Sequence, residues 1–120
     1  MPLEPLYVAN RFVAIILPKA PFVDWINAAD PVPANATITL EDTHEDPSAF
    51  LIPADDSDEP GKRWIQRNWK EIFEQLLNDW YVDPSLWPRN RTLQMFKEWC
   101  EVRIHSVVLD YANAPLEYDD

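Results

Sequence analysis

Apolar and polar positions divide this chain into two halves. From about Leu6 to Leu17 the residues are β-prone, and Phe12-Val13-Ala14-Ile15-Ile16-Leu17 is apolar at every position. Such a run predicts a central strand covered on both faces. Pro18 and Pro21 end it, and Phe22, Trp25 and Ile26 then fall on one face of a short helix over Pro21–Ala28. Pro31 and Pro33 stop that helix. Thr37-Ile38-Thr39-Leu40 alternates and predicts a second strand, and Ala49-Phe50-Leu51-Ile52 a third, with Glu41–Ser48 as the loop between them.

The second half reads as helical. Trp64, Ile65, Trp69, Ile72, Phe73, Leu76, Leu77 and Trp80 form one stripe, which predicts a helix over Gly61–Trp80 opened by Asp58 or Glu59 and Pro60. Beyond Pro88, Leu93, Phe96, Trp99 and Cys100 repeat the spacing, with Thr92 or Asn90 as cap. Residues 102–109 fit either a helix continuing the stripe or a strand. Their β-branched content favours the strand, because such side chains are stiff in helices and pack well in sheets. Residues 114–120 read as a frayed tail. The order β-α-β-β-α-α-β is an α+β single domain of the ferredoxin-like, split βαβ plan. That plan centres the first and third strands and leaves one sheet face open as a docking surface.

Composition sharpens this picture. The chain has 120 residues and a formal charge of −11. The acidity is local, for Glu41 to Glu59 holds eight carboxylates and no Lys or Arg. A surplus of this sign opposes nucleic acid and anionic membrane, and it suits a basic protein partner. The single Cys, Cys100, forms no internal disulfide, and the N-terminus lacks a basic region followed by a long apolar run. The cytoplasm is the expected location.

The chemistry that can be excluded is more specific than any that can be assigned. One glycine, Gly61, is too few for a phosphate-cradling loop, a dinucleotide fingerprint or a glycine-flanked nucleophile elbow. An EF-hand alignment on Asp56 and Asp58 places Pro60 at a ligand position and Arg67 where a bidentate Glu belongs. Neither lone histidine, His44 or His105, has a ligand set beside it, so no metal or other cofactor is implied. In a strand over 102–110, His105 and Ser106 point to opposite faces, so no Ser-His-Asp set arises from that segment. Trp80 to Arg91 combines aromatics with Arg89 and Arg91, residue types common at interface hot spots.

Several segments, Pro21-Phe22-Val23-Asp24-Trp25-Ile26-Asn27, Leu51-Ile52-Pro53, Leu86-Trp87-Pro88-Arg89-Asn90-Arg91, Phe96-Lys97-Glu98-Trp99 and His105-Ser106-Val107-Val108-Leu109-Asp110, resemble a family of small bacterial proteins without an assigned function. The resemblance implies a bacterial cytoplasmic origin and carries no active residues across. Two functional expectations follow. The first is a non-enzymatic interaction or accessory protein, homodimeric or bound to a basic partner through Glu41, Asp42, Glu45, Asp46, Asp55, Asp56, Asp58 and Glu59. The second is a small-molecule binder or enzyme with a site where Trp87, Arg91 and His105 converge, with Arg89 as a further binding candidate.

Overall fold

A computed structural model describes residues 4–30 and 37–119. Its centre is a three-stranded antiparallel sheet built on the apolar run. β1 (Leu6–Tyr7) is separate from β2 (Arg11–Pro18), and a bend at Ala9-Asn10 divides them. The single strand expected over Leu6–Leu17 is therefore two. β2 lies between β3 (Ser48–Pro53) and β4 (Cys100–His105). β1 leaves that sheet and pairs instead with β5 (Leu109–Asp110) as a two-stranded ribbon, in which Val8 N–H donates to Val108 O at 2.8 Å.

The helices are α1 (Ala20–Ala29), α2 (Leu40–His44), α3 (Lys62–Trp80) and α4 (Leu93–Trp99), with a 3-10 turn at Pro84–Leu86. The class is α+β, as the patterning predicts. The three strands have the order and directions that the split βαβ plan gives its first, third and fourth strands. Among the described residues no second strand joins them, and the sheet there has three strands. The expected strand Thr37–Leu40 and the loop after it are replaced by α2. Both backbone groups of Ile38 are taken by the Asn27 side chain, at 2.9 Å each. Thr39 then closes a capping box with Asp42. Two reciprocal bonds satisfy two of the donors that a helix start would leave open, and they outweigh a four-residue alternation. Pro31 and Pro33 lie outside the described residues.

One core joins the layers. Phe12, Ala14 and Ile16 of β2 pack with Ile52 and with buried side chains of α1, α3 and α4. An aromatic cluster fills the helix side. Phe73 meets Phe96 at 5.6 Å and Trp99 at 5.7 Å, and Phe22 meets Trp25 at 5.6 Å. Trp25 contacts the Tyr81 ring edge-on at 5.2 Å and donates its indole N–H to Leu86 O. The Tyr81 hydroxyl donates to Ile26 O, and burial raises its pKa, with Asp30 adding to the effect. The polar ends of these large rings are thus satisfied while their faces pack against one another. Thr92 caps α4 through Met95 N–H at 3.1 Å.

The acidic loop ahead of α3 is organised by Asp55. Its carboxylate accepts from the Ser57 hydroxyl at 2.8 Å, from Ser57 N–H at 3.0 Å and from Gly61 N–H at 3.0 Å. The Ser57 bonds foremost, then the Gly61 bond, hold its pKa below the usual carboxylate value. A pKa lower in the folded than in the unfolded chain contributes stability above the unfolded value of about 3.9, and this is lost as pH falls through the folded value. The stability gap between wild type and Asp55→Asn is therefore expected to be full at pH 6 and to shrink below about pH 4. Urea unfolding of both proteins between those pH values measures it, and a gap that does not depend on pH would remove this role.

Candidate functional site

The alternation along β2 determines what each sheet face presents. Phe12, Ala14 and Ile16 point into the core, so Arg11, Val13 and Ile15 point the other way. Register then places Val13 between Leu51 and His105, and Ile15 between Ala49 and Arg103. The reverse face thus has an apolar centre of Val13, Ile15, Ala49 and Leu51. Arg11, Arg103, His105 and Glu101 ring it, with Arg103 and Glu101 paired at 3.2 Å. Leu51 is 48% exposed. The side chains that α1, α3 and α4 bury go to the opposite, core side. The run Phe12–Leu17 is therefore central, as expected, but it is not covered on both faces. Leu17 is buried at the end of the strand, where the His44 Nε2–H donates to Pro18 O at 2.8 Å.

The open face continues into a groove of about 460 Å³ between the sheet and the ribbon. Arg11 and Leu51 line it from the sheet, and Leu109, Tyr111, Leu116 and Tyr118 from the ribbon and tail. Residues 111–119 hold no helix or strand. Leu6, Tyr7, Val107, Tyr111, Leu116 and Tyr118 are all more than half exposed. An isolated two-stranded ribbon is marginal in water, and so many apolar side chains at one end of a molecule exceed the scattered exposure normal for a surface.

The residues singled out in the sequence divide between the two sides. Trp87 and Arg91 do meet, with the guanidinium 5.6 Å from the ring centroid. Trp87 donates its indole N–H to Tyr81 O at 2.7 Å. Arg91 bonds Glu74 at 2.8 Å and Pro88 O at 3.0 Å, and its buried Nε has no hydrogen-bond partner among the described residues. These contacts fasten the 81–91 loop to α3. Arg89 is exposed beside them. His105 is on the open face, across the sheet from this loop, so it does not converge with Trp87 and Arg91. Cys100 and His105 occupy opposite ends and opposite faces of β4. Burial pushes the Cys100 thiol up to about 12, against a smaller lowering by Lys19, which leaves it protonated and a poor nucleophile at neutral pH.

The acidic residues gather at the two ends of β3. Glu41 and Asp42 are in the first turn of α2, with Glu45 and Asp46 just after it. Asp55, Asp56, Asp58 and Glu59 form the loop before α3, where Glu59 pairs with Lys62 at 2.8 Å. All but Asp55 are exposed. Among the described residues no three His, Cys, Asp or Glu side chains converge to hold a metal, and no helix is long and apolar enough to cross a membrane. Comparison with family models, curated proteins and solved structures gives no match.

Proposed function

We propose that this chain is a non-enzymatic interaction protein that self-associates through the open face of its sheet. One observation carries the reading: β2 is apolar on both sides, while α1, α3 and α4 cover only one and the other is left open along Val13 and Ile15. An exposed strand face is ordinarily polar, so Val13, Ile15, Ala49 and Leu51 suit a surface that is buried in an assembly.

Size and charge favour a second copy as the occupant. The chain exposes 8916 Å², whereas surface scaling gives about 6,700 Å² for a compact monomer of 14.0 kDa. Its radius of gyration is 16.7 Å, against about 13.6 Å for a compact chain of 120 residues. A standard interface takes about 800 Å² from each partner. Chains of charge −11 repel one another, and the open face is where Arg11 and Arg103 lessen that repulsion. A two-fold contact there leaves most carboxylates outside the apolar centre. The exposed acids at both ends of β3 then suit a basic protein, and a single buried thiol suits a reducing compartment, the cytoplasm.

Salt separates the two contacts. Raising ionic strength from about 0.05 to 0.5 M screens like-charge repulsion and tightens self-association, whereas it weakens capture of a basic partner. Sedimentation velocity across this range is expected to show a dimer whose population grows with protein concentration and with salt. A monomer at every concentration and salt overturns the reading.

A further inference from the structure

The helix layer stops short of the β4 edge of the sheet. α4 spans seven residues and passes into β4 without a loop. The inward side chains Val102 and Ile104 consequently remain half-buried. Over them, between α3 and α4, is a groove of about 340 Å³. Its floor is Ile65, Leu93, Phe96, Val102 and Ile104, and its rim carries Lys19, Lys62, Lys97 and Glu101.

Three of the ten basic residues of an acidic chain thus border one apolar groove. Their commitments are light. Lys19 Nζ donates to Lys97 O at 2.8 Å, which brings Lys19 to the end of α4 and occupies one of its three protons. Lys62 pairs with the exposed Glu59. The Lys97 ammonium has no ion-pair partner among the described residues. An apolar floor with an ammonium-rich end matches a ligand with one anionic head and one hydrocarbon chain. A carboxylate at the Lys19–Lys97 end exchanges water for charge-assisted hydrogen bonds, and the chain covers Val102 and Ile104.

We propose that this groove binds a free medium-chain carboxylate, with the acyl chain on the Ile65–Ile104 floor and the head at Lys19 and Lys97. The free acid is favoured over an anionic bilayer, because the remainder of the chain is repelled by such a surface. The site is on the helix side of the sheet and does not depend on self-association, so Leu51→Glu is expected to leave it intact.

Isothermal titration with hexanoate, octanoate and decanoate tests the proposal. One saturable site is expected, with affinity rising about fourfold per added methylene, the burial gain of one CH₂ expressed as a ratio. Lys97→Glu alters an exposed side chain, so folding is retained, and decanoate binding is expected to weaken at least tenfold. Val102→Glu places a carboxylate in the floor and is expected to abolish it. Decyltrimethylammonium, with the same chain and the opposite charge, is expected not to bind. No saturable decanoate site, equal binding of the cationic amphiphile, or unchanged affinity in folded Lys97→Glu overturns the proposal.

Discussion

Phe73→Ala is expected to destabilise the protein by about 3–5 kcal/mol, the range for removing a fully buried aromatic ring. Phe73 has no exposed surface. Its ring lies 5.6 Å from Phe96, 5.7 Å from Trp99 and 6.3 Å from Phe22, so it holds α1, α3 and α4 together over the sheet. Truncation forfeits the transfer free energy of the ring and three aromatic contacts. It also leaves a cavity that rigid neighbours cannot close. Phe73→Leu keeps most of the volume and is expected to cost less than about half as much. Urea unfolding of the two variants measures both, and a loss below about 1 kcal/mol for Phe73→Ala would show that the helices are held by something else.

Gly61→Ala is the second large effect, at about 2–4 kcal/mol, because two separate costs combine. Gly61 has φ of +76° at the start of α3, a conformation in which a Cβ clashes with its own backbone. An added Cβ would also stand 3.0 Å from Ile52 Cδ1 and 3.2 Å from Ile104 Cδ1 and Cγ2. The turn is fixed by Gly61 N–H on Asp55 and by Ile65 N–H on Gly61 O, each at 3.0 Å, so the glycine has little freedom to move away. Ile52→Val removes the nearest methyl. In that background Gly61→Ala is expected to cost less, by about 1 kcal/mol, leaving mainly the backbone strain. Additive costs in a double-mutant cycle would remove the Ile52 contact from the explanation and leave the strain and the Ile104 contacts.

Some of this was legible in the sequence. The stripe from Trp64 to Leu77 marks α3, because only a helical period brings those side chains to one face. Trp80, at the end of the stripe, is 40% exposed, since the chain turns away at Tyr81 to bring its hydroxyl to α1. Residues 102–105 are a strand as β-branching suggests, but that strand begins at Cys100, residues 106–108 lie outside any strand, and Leu109 falls in the ribbon. The missing second strand had a readable signal in Thr39 and Asp42, a cap three residues apart, which a short alternation concealed. The ribbon had none, for two-residue strands separated by about a hundred positions leave no periodic trace. The open face was hidden for a related reason. An all-apolar strand shows no alternation, so neither its orientation nor the absence of a cover can be read along the chain. Gly61 was conspicuous as the only glycine, but the crowding that requires it comes from Ile52 and Ile104, on two distant strands. Trp87, Arg91 and His105 looked like one site because sequence reasoning cannot say which side of a sheet a residue faces.

Self-association through the open face is tested most directly by sedimentation velocity of wild type beside Leu51→Glu, at about 0.5 M salt, where like-charge repulsion is screened. Leu51 is half exposed in the monomer, so its replacement leaves the fold intact, as circular dichroism can verify. A buried interfacial carboxylate without a partner is costly. A concentration-dependent dimer is expected for wild type and a monomer for Leu51→Glu across the same concentrations. A wild type that stays monomeric, or a Leu51→Glu variant that dimerises as tightly as wild type, contradicts self-association through this face.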